Sequence, residues 1–361
     1  MSLQLQSIST SGVFEWLPVV VVVVFELGKF SLLLSKFPSL LHSFTLEIGI
    51  SFGVFDELDR SGREFHDAVD KIFGSGLNLI ILRRFFSRTL LEKPLMKYCG
   101  MDHAVSVVNR VLDQCIEQRK KELETNFDSF SKRDILSLMV KANMEENSLS
   151  NLELKSNALI FTLAGEETTS TTLLWVTYEL AKNPDIQEKA RKEIETLLPN
   201  QQFPTSDDYE KLHHVNAIIL ESLRRHPPVF SVLKTPTKDV MIGDKLIPKG
   251  SLIDACIYGI HMDEQLWPNP YKFDPERFMD LEFRNKAQHD FSFMPFSMSL
   301  RKCIGFKFAQ MEACMVLSRL LQFYRFELLN DESNEKDRVT LSSGITVRPQ
   351  NLRVKIYPIW K

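Results

Sequence analysis

The feature that most restricts the fold is a long apolar run from Leu152 to Ala181. It is longer than an ordinary strand and leaves no wholly polar face, so it predicts one long helix that is mostly buried. The helix is expected to end at Asn183, which precedes a proline. Its centre differs, because Gly165 and the Ser/Thr run Thr168–Thr172 are poor interior helix formers. A polar centre in an apolar helix indicates either a functional position or a solvent-exposed face.

The rest of the chain predicts a mainly α protein with a minor β component. Its 361 residues are 44% hydrophobic and 25% charged, which excludes disordered and collagen-like classes. A net charge of −3 lacks the basic excess of a nucleic-acid binder. Residues 262–290, rich in Pro, Asp and Asn, are expected to be irregular. Periodicity predicts helices at Asp185–Leu198, Asp207–His226 and Gly305–Phe326, and strands at Asp239–Ile242, Lys245–Ile247, Ser251–Tyr258 and within Arg338–Pro358.

The N-terminal segment, residues 1–44, is unusually apolar. Its run Leu17–Phe25 has nine residues, whereas a membrane-spanning helix needs about 20. Residues 1–13 also lack the Lys or Arg of a signal peptide. The run therefore predicts a buried strand or helix, with a membrane-interfacial segment as the alternative.

The five cysteines are too sparse and irregular for a disulfide framework or a zinc site. Cys303 stands immediately before the helix that is predicted to begin near Gly305. The positive end of a helix lowers the pKa of a nearby thiol, and a thiolate in such a place is a haem-iron ligand environment. Arg301 is placed to bind a propionate bidentately. The alternative is a cysteine that packs in the core after a loop.

Two further segments carry charges in apolar surroundings. Glu221 and Arg224 are spaced to pair on a helix, and their apolar flanks predict that the pair is buried rather than on the surface. The segment from Phe273 to Phe278 reads FDPERF and contains Arg277. His261 is predicted to be structural rather than an iron ligand.

These segments, in this order, resemble the cytochrome P450 monooxygenases. The segment FSMSLRKCIG is similar to the family's cysteine-ligand loop F-x-x-G-x-R-x-C-x-G, with Ser299 in place of the first glycine. Glu221 and Arg224 match the E-x-x-R motif of the family's K helix, and Arg277 matches its PERF motif. The resemblance implies a structural three-residue network behind the haem. The residues that match the cysteine-ligand loop are Phe296, Arg301, Cys303 and Gly305.

The centre of the long apolar run resembles the family's I-helix motif A-G-x-D/E-T-T. The resemblance implies that Ala164 and Gly165 leave room for dioxygen above the iron. It also implies that Thr168 hydrogen-bonds the oxygen species on the iron, and that Glu167 helps to relay protons.

The resemblance implies a membrane-associated microsomal enzyme on the cytosolic face of the endoplasmic reticulum. Its cofactor would be haem b, with Cys303 as axial iron ligand and Lys234 as a further propionate partner. NADPH would supply electrons through NADPH–cytochrome P450 reductase, and oxygen from O2 would enter an apolar substrate that is lipid-, fatty-acid- or sterol-like. The residues that would line the substrate cavity are Phe161, Val229, Phe230, Val232 and Ile345.

The resemblance covers residues 45–361 as a partial P450 domain. The family's first strands and its helices A to C have no counterpart. The only upstream tryptophan, Trp16, is followed four residues later by Val20 rather than by the arginine of the family's W-x-x-x-R. We therefore expect an N-terminally truncated chain. The alternatives are a catalytically inactive fragment or a P450-type hydroperoxide isomerase or lyase, although the retained Glu167 and Thr168 argue against the isomerase.

Overall fold

The structure, a computed structural model, describes residues 21–24, 101–125, 135–146 and 149–359 apart from residue 343, with parts of 64–72 and 94–100. Helices dominate this part of the chain, as predicted. The α-helices are α1 Met101–Thr125, α2 Ile135–Glu146, α3 Asn151–Lys182, α4 Pro184–Leu197, α5 His213–Arg225, α6 Ile257–His261, α7 Leu281–His289 and α8 Phe306–Phe323. Short 3-10 turns lie at Pro199–Gln201, Ser206–Asp208, Pro275–Phe278 and Ser299–Arg301.

The strands are short and form small antiparallel sheets. They are β1 Val21–Val24, β2 Ser231–Lys234, β3 Val240–Ile242, β4 Lys245–Ile247, β5 Ile253–Cys256, β6 Tyr324–Leu328, β7 Thr340–Leu341, β8 Pro349–Gln350 and β9 Arg353–Pro358. Three strands pair in the order β1-β9-β6, and the pairs β2-β5, β3-β4 and β7-β8 are separate. The β3-β4 hairpin turns at Gly243, whose φ of 60° suits a residue without a side chain.

Helix α3 confirms the prediction of one long helix. Its first turn is fixed by a capping box, in which the Ser150 hydroxyl accepts from the Glu153 N–H and the Glu153 carboxylate accepts from the Ser150 N–H. Asn183 ends the helix and Pro184 begins α4 directly after it. Local caps therefore set both ends of the helix that carries the polar centre.

Two hydrophobic clusters pack against the two halves of α3. The first half of α3 contributes Leu154 and Ala158 to a cluster with α1 and α2. The second half contributes Leu173 and Trp175 to the main cluster with α4, α5, α8 and the β6-β9 sheet. The polar centre, residues 164–172, lies along the helix between these two apolar zones.

Two predicted boundaries were wrong near the ends of strands. The predicted strand Ser251–Tyr258 stops at Cys256, because α6 follows at once, capped by the Cys256 sulfur that accepts from the Gly259 N–H. The helix predicted to reach Phe326 ends at Phe323. Tyr324–Leu328 leaves it to pair with β9, and this long-range pairing outweighs the helical pattern of the preceding residues.

Two other predictions missed local capping and turn signals. Helix α7 lies within the stretch expected to be irregular, because Asp280 accepts from the N–H groups of Glu282 and Phe283 and thereby starts a helix. The helix predicted from Asp207 begins only at His213, since residues 206–208 form a separate 3-10 turn.

The N-terminal segment contributes one strand to the described structure. Val21–Val24 pair antiparallel with the first residues of β9, from Arg353 to Ile356. This confirms the strand alternative for that part of the apolar run, while Trp16 and the other residues of 1–44 lie outside the described residues. None of the helices described here is long and apolar enough to cross a bilayer.

Candidate functional site

The loop before α8 holds Cys303 at the surface. The Cys303 N–H donates to the Phe296 carbonyl over 2.8 Å, which closes the loop into a hairpin. The Phe296 ring packs 6.3 Å from the ring of Phe306, the first residue of α8. Gly305 is the N-cap, so the exposed free thiol of Cys303 precedes the helix as predicted. The positive end of a helix and an accessible sulfur suit a soft metal ion.

Ser299, which replaces the family's glycine, adopts a left-handed backbone conformation with φ of 60°. Its neighbour Ser297 has φ of 59°. Side chains with a Cβ rarely adopt this conformation, because the Cβ approaches the following carbonyl oxygen. The tight hairpin therefore keeps the backbone that glycine would favour, and a serine carries the strain.

Glu221 and Arg224 form the fully buried pair that the sequence predicts. The Arg224 guanidinium donates through Nε and Nη2 to the two carboxylate oxygens of Glu221, each over 2.8 Å. Both side chains are 0% exposed. Burial raises the pKa of the Glu221 carboxyl, while the hydrogen bonds and charges of Arg224 act against that. The remaining Arg224 protons reach the carbonyls of His261 and Pro270, also over 2.8 Å.

Arg277 joins this network, as the PERF motif predicts. Its Nε lies 3.5 Å from the Glu221 carboxylate and its Nη2 donates to the Asn269 carbonyl over 2.9 Å. The Asp274 N–H supplies a further donor to the same carboxylate over 2.9 Å. The second positive charge and the added hydrogen bond lower the cost of burying the Glu221 charge.

Three hydroxyl groups in the centre of α3, those of Thr168, Ser170 and Thr172, donate to carbonyls of their own helix. Thr168 donates to the Ala164 carbonyl over 2.7 Å, and Thr172 donates to the Thr168 carbonyl over 2.9 Å. Such bonds satisfy a threonine inside an apolar helix, and the oxygen keeps capacity to accept. Thr168, Ala164 and Gly165 are only partly buried, so this face of the polar centre remains accessible, whereas Thr169, Thr171 and Thr172 are buried.

The Glu167 carboxylate is buried and bound by the C-terminal hairpin, which we define as residues 342–348 between β7 and β8. Thr346 donates a hydrogen bond to its Oε1, and Arg348 forms an ion pair with the same oxygen. Sequence reasoning missed Arg348, because no local motif marks a partner so far along the chain. The predicted proton-relay residue is therefore also a structural partner of the hairpin.

The C-terminal hairpin is fastened at two further points. The Trp175 indole N–H donates to the Val347 carbonyl over 2.9 Å. The Val347 N–H donates to the Pro228 carbonyl over 2.8 Å. The hairpin thus joins α3 to the segment after α5, while the predicted substrate residue Ile345 packs against the hydrophobic cluster formed by α1, α2 and the first half of α3.

The other predicted site residues lie on separate elements. Phe161 is on α3 and is partly buried, whereas Phe230 precedes β2 and is exposed. Val232 is partly buried within β2. Lys234, which ends β2, and Arg301, which ends the turn before Cys303, are exposed and form no ion pair with any other residue that the structure describes.

The other described cysteines lack the exposed position ahead of a long helix that Cys303 has. Burial raises the pKa of Cys314 to about 12 and also raises the pKa of Cys115. Cys256 is exposed, but its sulfur is used to cap the short helix α6. Cys99 lies outside the described residues. Within the described residues, Cys303 is therefore the cysteine best placed to bind a metal.

A mainly helical domain with an exposed cysteine before its last helix, and a buried Glu-Arg-Arg network nearby, defines the class of haem-thiolate proteins. A family model described as Cytochrome P450 matches residues 41–356. The chain belongs to the cytochrome P450 family, whose prosthetic group is haem b.

Curated relatives and a solved structure agree with this assignment. Cytochrome P450 4A12B of Mus musculus is 32% identical over 76% of this chain and 54% of its own. Cytochrome P450 3A7 of Homo sapiens is 37% identical over 62% of this chain and 44% of its own. Taurochenodeoxycholic 6 alpha-hydroxylase of Sus scrofa is 36% identical over 64% and 46%. The chain therefore spans about half the length of the curated relatives it matches.

The solved structure supports the fold. The haem domain of cytochrome P450DA superposes with a TM-score of 0.70 and 24% identity, over 89% of this chain and 64% of that one. The elements described above therefore form the P450 fold, which the sequence predicted.

The residues present fit a haem group by the chemistry of the donor set. The exposed Cys303 thiol is a soft ligand for iron, and its backbone N–H is already used within the hairpin. Arg301 and Lys234 are exposed cations, which suit propionate groups. A Cβ added at Gly305 would lie 4.0 Å from the Cys303 sulfur, an ordinary contact, so the thiol is not crowded on this side.

Proposed function

We propose that this chain acts as a haem-thiolate monooxygenase. The observation that carries the proposal is the exposed Cys303 thiol, held ahead of α8 by the bond from its own N–H to Phe296. When bound, the haem supplies the activation of dioxygen and the insertion of one oxygen atom into a C–H bond, while the other leaves as water. Two electrons would come from NADPH through NADPH–cytochrome P450 reductase.

The other residues of the proposed site would bind the haem and shape the space around it. Cys303 would bind the haem iron through its sulfur, and Arg301 and Lys234 would hold the propionates. Phe296 and Gly305 shape the hairpin around the thiol. Ala164 and Gly165 would keep side-chain volume small in the centre of α3.

The centre of α3 is the region that would deliver protons to the site. The Thr168 hydroxyl is held by the Ala164 carbonyl and retains lone pairs for a second hydrogen bond. The Glu167 carboxylate is held by Thr346 and Arg348 at one oxygen. We infer that Thr168 holds a proton at its hydroxyl and that Glu167 moves protons toward it.

The substrate we propose is apolar, of a lipid, fatty-acid or sterol-like class. The Glu167 and Arg348 charges neutralise one another, so this part of the wall offers little attraction to a charged group. The residues proposed to line the cavity are Phe161, Val229, Phe230, Val232 and Ile345. A sterol-like substrate is supported by the relative named for hydroxylation of a bile-acid conjugate. We propose that the enzyme acts at the cytosolic face of the endoplasmic reticulum membrane.

The test is the carbon monoxide difference spectrum of the reduced protein. We expect a Soret shift of the thiolate type in the wild-type chain and its loss in Cys303→Ser. Cys256→Ser changes an exposed cysteine elsewhere and is expected to keep the shift. No haem uptake, or a spectrum of the neutral-thiol type, would overturn the proposal. Conversion of a hydroperoxide into its own rearranged or dehydrated product, with no NADPH-dependent oxygenation of an apolar substrate, would assign the chain to the isomerases instead.

The assignment of Thr168 has its own measurement. Thr168→Ala is expected to keep the spectrum but to lower the ratio of product formed to NADPH consumed by about tenfold or more, since general acid catalysis contributes about 100-fold or more. Thr172→Ala removes a similar hydroxyl one turn further along α3 and serves as the control. Equal coupling in the two variants would show that Thr168 has no special role.

A further inference from the structure

His261 sits in a buried chain of hydrogen bonds between α5 and the cysteine loop. Its side chain is 0% exposed. Its Nδ1 lies 3.1 Å from the Arg224 carbonyl, and its Nε2 lies 3.0 Å from the Met294 backbone nitrogen. Both ring nitrogens are therefore used, which confirms that His261 is not an iron ligand.

The partners fix the tautomer of the ring. A carbonyl oxygen only accepts and a backbone N–H only donates, so Nδ1 carries the proton and Nε2 accepts. Burial lowers the pKa of His261 to about 3. The imidazole therefore stays neutral near pH 7, and a second proton at Nε2 would break the bond from Met294.

The two bonds join parts of the molecule with different roles. On one side is Arg224, whose side chain holds Glu221. On the other side is Met294, whose carbonyl accepts from Ser297 over 3.0 Å. Met294 lies just before Phe296, whose carbonyl accepts the Cys303 N–H. His261 is thus the side chain that connects the buried network with the strained hairpin around the thiol.

Aromatic packing holds the ring in this orientation. The Phe293 ring stacks on His261 with centroids 5.4 Å apart. The Trp267 ring meets it edge-on at 6.5 Å, and the Arg224 guanidinium lies 5.2 Å from the same tryptophan ring. Rotation of the imidazole is therefore restricted by two neighbouring rings, which suits a group that sets a distance between two backbones.

We propose that His261 is a positioning residue for Cys303, and that it transmits the fixed geometry of the Glu221–Arg224 network to the cysteine loop through Met294. The inference rests on the proposed function only where Cys303 is taken as the iron ligand. The mechanical part, the restraint of the loop, holds for the chain without haem.

The first experiment measures amide hydrogen exchange and needs no haem. In His261→Phe, which keeps an aromatic ring but removes both bonds, we expect exchange in the segment 294–303 to rise by about tenfold. His261→Gln keeps an amide donor and acceptor and is expected to restore much of the protection. Exchange in β9, which pairs with β6, reports on global opening and is expected to change little.

His226→Phe is the matched control. His226 is partly buried, stacks on Trp175 with centroids 4.1 Å apart, and contacts Glu179 over 2.6 Å. It has no bond to the cysteine loop among the contacts that the structure gives it. If both phenylalanine variants raise exchange equally along the chain, His261 is merely structural and the proposal is wrong.

The second measurement is the spectrum of the reduced, carbon monoxide-bound protein. His261→Phe is expected to lower the fraction with the thiolate-type band, with recovery in His261→Gln and no change in His226→Phe. Unchanged exchange in segment 294–303 of His261→Phe would overturn the inference, even if the wild-type spectrum supports the proposed function. Conversely, faster exchange in segment 294–303 of His261→Phe supports the restraint by His261 even when the wild-type chain takes up no haem. The lack of haem uptake then overturns only the proposed function.

Discussion

Two buried carboxylates, Glu221 and Glu167, each bind an arginine but belong to different kinds of region. Glu221 meets Arg224 three residues later on the same helix, with two bonds of 2.8 Å. Glu167 meets Arg348, which the chain brings from its C-terminal hairpin. The first pair lies within one helix, whereas the second joins two elements that are far apart in the sequence and are also linked by the bond from Trp175 to Val347.

The surroundings differ in the same way. Around Glu221 the spare donors of Arg224 reach the backbone carbonyls of His261 and Pro270 and the Met262 sulfur, so its guanidinium is fully used within the network. The proposed site contains the strained Ser299, the exposed Cys303 and the polar centre of α3. The Glu221–Arg224 network, which we call the support, therefore obeys the local rules of propensity and burial. The proposed site breaks those rules, as is expected of a functional region.

The largest effect is expected when the support is broken. Arg224→Gln leaves the Glu221 charge buried without its main partner, which we expect to cost about 3–5 kcal/mol. Urea unfolding measures the loss. Lys189→Gln breaks an exposed ion pair with Glu276 and is expected to cost less than about 1 kcal/mol. A loss for Arg224→Gln no larger than that of Lys189→Gln would show that the network does not support the fold.

A smaller effect is expected when the pair in the site is broken. Arg348→Gln removes a charged partner that is itself partly exposed, so we expect a loss of about 2 kcal/mol. Because the hairpin carries Ile345, we also expect a higher KM for apolar substrates and weaker coupling of NADPH use to product. Steady-state kinetics and unfolding measure the two effects separately.

Arg353→Gln is the control for this prediction. Arg353 pairs with Asp337 near the same C-terminal segment but away from Glu167. We expect it to lower stability without a change in KM. If Arg348→Gln and Arg353→Gln raise KM equally, the change in KM follows from a general loss of stability. The Glu167–Arg348 pair then has no separate role in the site.

The hydrogen bond from Trp175 to Val347 is expected to contribute less to stability than the Glu167–Arg348 pair. Trp175→Phe keeps an aromatic ring on His226 but removes the indole N–H that donates to Val347. The loss of one such bond costs about 1 kcal/mol. Faster amide exchange in the hairpin, with unchanged exchange in β9, is the expected result. Equal acceleration in both would show that Trp175 stabilises the core rather than the hairpin.

The same distinction explains what the sequence could predict. Helix α3 and the Glu221–Arg224 pair follow from local spacing, caps and apolar flanks, so both were predicted. Arg348 was missed because its contact with Glu167 exists only once the C-terminal hairpin has packed on α3. Helix α7 was missed for a different reason, since one capping residue, Asp280, decided it within a polar stretch. Long-range pairing and single caps therefore mark the limits of pattern-based inference.

The smallest expected effect concerns the strain in the site. Ser299 has φ of 60°, and a residue with a Cβ pays about 1 kcal/mol or more in that conformation. Ser299→Gly removes the Cβ but makes the unfolded chain more flexible, so we expect a net gain of at most about 1 kcal/mol. Ser299→Ala keeps the Cβ and removes only the hydroxyl, so it is expected to give no gain. Thermal unfolding of the three chains separates these outcomes. A gain in the alanine variant equal to that in the glycine variant would place the cost on the hydroxyl rather than on the backbone, and the cysteine loop would then be no more strained than the network behind it.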